Sequence, residues 1–569
     1  LMPMRAAVPA AAPVHETGTD IMNVRLEDCT LRQALANAVA RDPAHLFLRV
    51  VDGPEIRYGE ISALAHRLVG GVQALGFGKG DRVMSMLPNG LEAIAIWLGC
   101  GVGGTVEVCL NHAHRGKPLI HAINASAARL LVLDAASLPA LADIRDSLLH
   151  LTHLVVVGDF SELPQGLGDG LIVLPWQALA DAAPLSEGLP PISGRDIAAI
   201  LYTSGTTGPA KPVLLTHAQN YLTACGTRDC LALTSDDISY CFHPMFHMAG
   251  KFMAAYGTLL AGATLVLDRK FVPEQWVARA RRYGATVGYG HGPMLEMIHA
   301  VPPAADDDDH AMTRVLAAPF PRRIARDFEK RFGVRGLECW GMTEIGIVTW
   351  PDLDWPAPAG SCGRVDREHF DLRIVDPETD EEVPVDEAGE IVVRPNRPWV
   401  LFQGYLGMAD AMVDAWRNGW FHTGDTGRLD ADGNLFFIDR VKDKIRRRAE
   451  NIASYDIESA ANAHPAILEA AAVGIASEFE GDDDIKLTIV LRNGSHVGPG
   501  DLIAFLAGEL PHFMVPRYIE RREALPRSPT NKIQKADLRA SGAGGDVWDR
   551  KAAGLSLKDI FERNTATCR

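Results

Sequence analysis

The chain is 569 residues long, and at roughly 100 to 200 residues per domain it exceeds a single small binding module and should hold several packed units. Hydrophobic residues make up 47% and charged residues 22%, an ordinary globular balance with enough apolar material for large cores. Lys plus Arg number 56 against 72 Asp plus Glu, a net charge of −16, which excludes a broad electrostatic footprint for nucleic acid or an anionic membrane. An anionic ligand therefore needs a local basic or amide-rich site.

In chain order, residues Leu1 to Asp20 are rich in Ala and Pro, with Arg5 the lone basic residue. They lack the charged start and apolar core of a signal peptide. This stretch, 1–20, is expected to be a disordered or processed tail outside the fold. Leu31 to Ala40 and Ile61 to Leu75 have helical spacing, while Arg82 to Met86 and Leu130 to Leu133 read as buried strands. Ala93 to Val106 (AIAIWLGCGVGGTV) is the most membrane-like run, yet it carries four glycines and falls short of the about 18 to 20 apolar residues a bilayer requires. It is expected to form a buried helix, a turn and a strand. Helices alternating with strands as far as about Ala300 imply parallel or mixed sheets covered by helices.

Pro302 to His310 (PPAADDDDH) and Trp350 to Gly360 (WPDLDWPAPAG) read as exposed loops. After Arg364 short strands with Gly- and Pro-containing turns suggest a β-rich subdomain over about 364–439. Beyond it, Ile457 to Ala463, Ala470 to Gly474, Lys486 to Leu491 and Leu502 to Leu510 give the order helix, strand, strand, helix. The expected fold is α/β: a large N-terminal domain of mixed sheets covered by helices (21–439), and a small α+β C-terminal domain (440–569). The nine cysteines include no C-x-x-C pair, so zinc and thioredoxin-like sites are not indicated. Reduced, buried thiols are expected, which suits a cytoplasmic location.

The strongest chemical signal is YTSGTTGPAK, Tyr202 to Lys211, directly after the apolar run Ile197 to Leu201. Small and hydroxylated residues in succession expose backbone N–H groups and hydroxyls, a nest suited to phosphate, and Lys211 adds a mobile positive charge. It is not a Walker loop, because the G-x-x-x-x-G-K-[ST] spacing is missing.

Residues 202–217 (YTSGTTGPAKPVLLTH) resemble the phosphate-binding signature of the adenylate-forming superfamily of acyl-CoA synthetases, peptide-synthetase adenylation domains and luciferases. Further motifs follow in the same order as in that family: PMFHMAG (Pro244 to Gly250), WGMTE (Trp340 to Glu344), GWFHTGD (Gly419 to Asp425), DRVKDKI (Asp439 to Ile445) with Glu450-Asn-Ile452, and PRSPTNK (Pro526 to Lys532). The resemblance spans about residues 30 to 540. Arg394-Pro-Asn-Arg-Pro-Trp399, Arg446-Arg-Arg448 and Gly419-Trp-Phe-His422 most resemble the carnitine/crotonobetaine-CoA ligase-like branch.

The resemblance implies ATP, Mg²⁺ and coenzyme A as cosubstrates and cofactors, a small-molecule acid as partner, and a C-terminal domain that rotates. It leaves room for a homodimer and implies neither nucleic acid nor membrane. Thr203, Ser204, Gly205, Thr206, Thr207, Gly208 and Lys211 would hold the β- and γ-phosphates, and Thr343 would contact the α-phosphate. Glu344 would bind Mg²⁺, which favours hard oxygen ligands alongside phosphate. Trp340, with Gly341 beside it, would flank adenine where relatives usually carry Tyr, and Ala318 and Pro319 would border the base. Asp425 would accept from the ribose hydroxyls, Arg440 would reach ribose or phosphate, and Lys442 matches the hinge. Lys532 would bridge the carboxylate and the α-phosphate during adenylation. His247 would gate the reacting carboxylate, and Lys251, Tyr289, Gly290 and His291 would line the acid pocket, with Lys251 or His291 recognising a polar or carboxylate-bearing tail.

Two positions depart from the family pattern. Pro212 follows Lys211 where Gly is usual, removing a backbone donor. Ala449 precedes Glu450 where Gly is usual, and its methyl group would narrow the thiol passage. The alternative acceptor is therefore one other than coenzyme A, as in relatives that adenylate nitrite to diazotise an aromatic amine.

Overall fold

The computed structural model describes residues 24–203, 210–353, 357–440, 445–447, 450–452, 454–477, 483–527 and 533–557. Its body is built on two seven-stranded sheets. The first contains, in chain order, Arg82–Met86, Val106–Cys109, Leu130–Asp134, His153–Val157, Ile172–Pro175, Ile197–Thr203 and Lys211–Thr216. The second is made of Ile238–Cys241, Thr264–Leu267, Val287–Gly290, Arg314–Ala317 and Arg335–Glu338, extended by the earlier strands Leu46–Val50 and Glu55–Arg57. Leu130, Leu131, Val132 and Leu133 are all fully buried, so both faces of that strand are covered. That is why such strands read as continuous apolar runs rather than alternating ones.

Both sheets use the same plan. The first five strands lie in the spatial order fifth, fourth, third, first, second, and two further strands complete the edge. All pairs are parallel except the last at that edge, Ile197–Thr203 with Lys211–Thr216 and Leu46–Val50 with Glu55–Arg57. The chain thus reverses its direction of travel between the first and third strands of each sheet. Such a switch point opens a crevice at the carboxyl ends of the strands, where α/β proteins bind ligands.

One apolar cluster joins the inner faces of both sheets to the helices Leu31–Arg41, Tyr58–Ala74, Leu91–Gly103 and Tyr256–Ala261. Leu91–Gly103 is the membrane-like run. It ends because Gly104 takes φ +79 and returns its N–H to Cys100 O, a left-handed cap available to glycine at little cost. The strand Val106–Cys109 follows at once. Among the described residues no helix is long and apolar enough to cross a membrane.

Residues 370–440 form a five-stranded antiparallel sheet. The C-terminal part runs helix Ser454–Asn462, strand Ile467–Ala476, strand Asp483–Leu491 and helix Pro499–Glu509, then adds the parallel strand Tyr518–Arg521. The acidic run at 306–309 is more structured than a solvated loop. Asp307 is buried and paired with Arg331 at 2.7 Å, and Arg281 bridges Asp306 and Asp309. These arginines come from neighbouring helices and offset part of the charge of the run, while Asp306, Asp308 and Asp309 remain exposed. The eight described cysteines are all buried and unpaired.

Candidate active site

The switch points of the two sheets meet. Asn89 lies just beyond the first strand of the first sheet and is 4% exposed. Its amide donates to His243 O at 2.9 Å and to Asp268 O at 2.8 Å, and accepts from the Met245 N–H at 2.9 Å. With both donor hydrogens and its oxygen satisfied, Asn89 staples the loop after Ile238–Cys241 to the first sheet. Nothing local in the sequence marks it for this role.

The stapled loop carries His243 and His247, and the loop after Val287–Gly290 carries His291. The His243 and His291 rings are 4.5 Å apart, His247 meets His291 edge-on at 5.9 Å, and His291 Nδ1 lies 3.1 Å from Ala318 O. Burial, with the other two rings beside it, holds His243 well below the usual histidine range. His243 is therefore neutral at physiological pH. Tyr289 and Gly290 are buried in the strand itself. A Cβ on Gly290 would lie 2.6 Å from Leu295. Of the residues expected to line the acid pocket, His291 meets His243 and His247, and Tyr289 and Gly290 directly precede it in the strand.

Lys251 requires a correction. It lies one turn beyond His247, its N–H donating to His247 O at 3.0 Å, in the π-helical turn Ala249–Ala255. The side chain neither reaches solvent nor presents an uncompensated charge to an acid. It is 1% exposed, its ammonium is ion-paired with the equally buried Glu107 of the first sheet, and Cys109 Sγ is 3.2 Å away. Ser85 Oγ donates to the other Glu107 oxygen at 2.6 Å. Burial alone would lower the lysine pKa, but Cys109 and Glu107 at its head outweigh burial and hold it above the ordinary range. The pair ties the helical turn after His247 to the first sheet.

The expected nucleotide residues gather on an adjoining rim. Gly341 and Gly346 belong to the hairpin Trp340–Met342 with Gly346–Trp350, whose tight crossing leaves no room for a side chain. A Cβ on Gly341 would fall 2.0 Å from Gly346 O. The intervening turn holds Thr343 and Glu344, whose carbonyls both accept from Gln219 Nε2 at 3.0 Å. Glu344 is 4% exposed and accepts from the Tyr405 hydroxyl at 3.1 Å. Lys211 Nζ lies 4.6 Å from the centroid of the same Tyr405 ring. Trp340 Nε1 donates to Asp425 Oδ2 at 3.0 Å, and Asp425 faces Arg440 across the antiparallel ladder. Pro319 follows Ala318 at the end of Arg314–Ala317. Thr203 ends the strand that precedes the phosphate-loop sequence.

Ser204, Gly205, Thr206, Thr207, Gly208, Lys442, Ala449 and Lys532 lie outside the described residues. Sequence reasoning missed Asn89, Gln219, Tyr405 and Glu107. Only Tyr405, beside a glycine at φ +137, stands in a context that could have drawn notice.

Residues 35–406 match the family described as AMP-binding enzyme, and residues 456–532 match the AMP-binding enzyme C-terminal domain. The crotonobetaine/carnitine–CoA ligase of Salmonella heidelberg (strain SL476) is 31% identical over 493 residues, covering 85% of this chain and 93% of that protein. The crystal structure of ATP-bound MatB from Rhodopseudomonas palustris superposes with TM-score 0.78 at 26% identity, covering 90% of this chain and 99% of that one. That of the anthranilate CoA ligase AuaEII with anthranoyl-AMP gives TM-score 0.82 at 21% identity, covering 92% and 99%, a likeness of fold. The chain belongs to the AMP-binding enzyme family. Within that adenylate-forming family it falls in the acyl-CoA ligase group.

Proposed function

We propose that this protein activates a small carboxylic acid with ATP and transfers the acyl group to coenzyme A. The observation that carries the reading is the convergence of Lys211, Tyr405 and Glu344 on one rim beside the Trp340–Asp425 pair. Family matches in both parts of the chain support it.

In the first half-reaction a carboxylate oxygen attacks the α-phosphorus, the bond to the β-phosphate bridging oxygen breaks, and pyrophosphate leaves. Trp340 fixes one oxygen of Asp425, so the carboxylate is oriented before the ribose hydroxyls reach it. Lys211 and Lys532 offset negative charge on the phosphate oxygens, and Thr343 donates to the α-phosphate. Glu344, a buried carboxylate on a turn held by Gln219, fits Mg²⁺, a hard cation that takes such an oxygen together with phosphate oxygens and water. When bound, the ion supplies further charge neutralisation at the phosphates.

The acid lies against His247, Tyr289, Gly290 and His291, with neutral His243 behind them. Lys251 and Glu107 hold the supporting wall, so they do not discriminate among acids by charge. In the second half-reaction the thiol sulfur attacks the acyl carbonyl and AMP departs, after the small domain turns about Lys442. The likeness to the crotonobetaine/carnitine–CoA ligase favours coenzyme A over the alternative acceptor suggested by Ala449. A homodimer in a cytoplasmic setting belongs to the same proposal; the buried, reduced thiols support the location.

A panel of acids in an ATP–pyrophosphate exchange assay, followed by thioester detection with coenzyme A, tests the reading. Acid-dependent exchange and a thioester product are expected. Adenylate formation with no thioester would instead establish a different acceptor.

A further inference from the structure

We propose that Tyr405 is a positioning residue, holding the Lys211 ammonium through its ring and the Glu344 carboxylate through its hydroxyl before nucleotide arrives. This rests on the adenylate-forming reading above. The placement is a product of the backbone. Residues 403–406 run antiparallel to the end of Lys211–Thr216: the Leu214 N–H donates to Gly404 O at 2.9 Å, Gln403 N–H to Leu214 O at 2.8 Å, and Leu406 N–H to Pro212 O at 2.9 Å. Pro212 has no N–H to offer and contributes only its carbonyl, which Leu406 uses. Immediately before this segment, the Phe402 N–H donates to Glu344 O at 3.0 Å. One short stretch of chain is thereby tied to the strand bearing Lys211 and to the turn bearing Glu344.

Tyr405 is 8% exposed. The contacts its two chemical halves make are of different kinds. The ring face attracts a cation through its quadrupole, more strongly where water is excluded. The phenol O–H, aimed at Glu344 Oε1 at 3.1 Å, fixes that carboxylate's rotation with a charge-assisted bond. A packing role alone, against Phe402 at 5.0 Å, would be served equally by phenylalanine. The hydroxyl and the stacked ammonium are what distinguish a positioning residue from an apolar plug.

The two halves separate experimentally in the full chain. Tyr405→Phe keeps the ring and loses the hydroxyl, whereas Tyr405→Leu loses both. ATP binding is measured by calorimetry with and without Mg²⁺, beside the melting temperature and the KM and kcat of pyrophosphate exchange. Tyr405→Phe is expected to leave metal-free ATP affinity within about twofold of wild type while raising KM for ATP with Mg²⁺ by about tenfold, with kcat changed less. Tyr405→Leu is expected to weaken ATP about tenfold in both conditions. A Phe variant that matches wild type with Mg²⁺, or one that loses metal-free and metal-bound affinity equally, would overturn the inference. If the Leu variant does not fold, the Phe variant alone decides. A wild-type protein that binds no ATP would instead remove the underlying reading.

Discussion

Replacing Glu107 with Leu should be among the most damaging single changes in the core. Lys251 and Glu107 are each 1% exposed, and they tie a helical turn to a strand of the first sheet across 144 residues of sequence. Removing one partner of a buried pair costs about 3–5 kcal/mol, because the remaining charge has lost its compensation in a low-dielectric site. Glu107→Leu removes every acceptor at that position and strands the ammonium, with Cys109 at 3.2 Å left nearby, and should fall within that range. Lys251→Met leaves Glu107 with the Ser85 donor at 2.6 Å, so its loss should sit near the lower end, about 3 kcal/mol. The double variant, Glu107→Leu with Lys251→Met, replaces both charges with apolar groups of similar volume and should return to within about 1 kcal/mol of wild type. Urea unfolding followed by tryptophan fluorescence gives the cycle. A double variant whose loss equals the sum of the single losses would refute the pairing. The double variant should also rank acids as wild type does, because the pair presents no net charge to the substrate.

Three further outcomes are expected. Trp340→Phe keeps an aromatic face but loses the N–H donated to Asp425; a bond to a charged group is worth about 1.5–3 kcal/mol, so KM for ATP should rise about tenfold or more in initial-rate assays, and an effect confined to kcat would contradict this. Burial raises the Glu338 carboxyl from 4.5 to about 7, so the folded state holds a proton that the unfolded chain has released. The penalty is absent below pH 4.5, grows as pH rises towards 7, and is constant above it. Glu338→Gln should therefore stabilise the protein by about 3 kcal/mol above neutrality and change little at pH 4; a pH-independent difference in urea midpoints would argue against it. Lys532→Ala should suppress adenylation far more than acyl transfer from a preformed adenylate, and equal losses in single-turnover assays would contradict its assignment.

How much was legible follows from how far apart the cooperating residues lie. Arg82 to Met86 reads as a strand and forms one with those bounds, because a short apolar run between turns is a local signal. Leu91–Gly103 also follows from local properties, namely its length, its apolarity and the glycine that ends it. The anion nest that the small residues after Tyr202 suggest lies outside the described residues. Lys251 shows the opposite case. Its sequence neighbours suggest an available cation, while its partner lies 144 residues away in a strand of the first sheet. Asn89, Gln219 and Tyr405 likewise act on residues 154, 125 and 61 positions away. Asp307 looked solvated until Arg331 packed against it. Polar side chains that position a site depend on tertiary neighbours, and neither periodicity nor composition encodes those.

The central claim is that the rim formed by Lys211, Glu344, Trp340 and Asp425 binds ATP for attack by a carboxylate. Its most direct measurement is the exchange of labelled pyrophosphate into ATP across a panel of carboxylic acids, with nitrite included. Exchange that appears only when a particular acid is supplied, and is lost in Glu344→Gln, is the predicted result. Exchange independent of any acid, or undiminished by that substitution, would contradict the account.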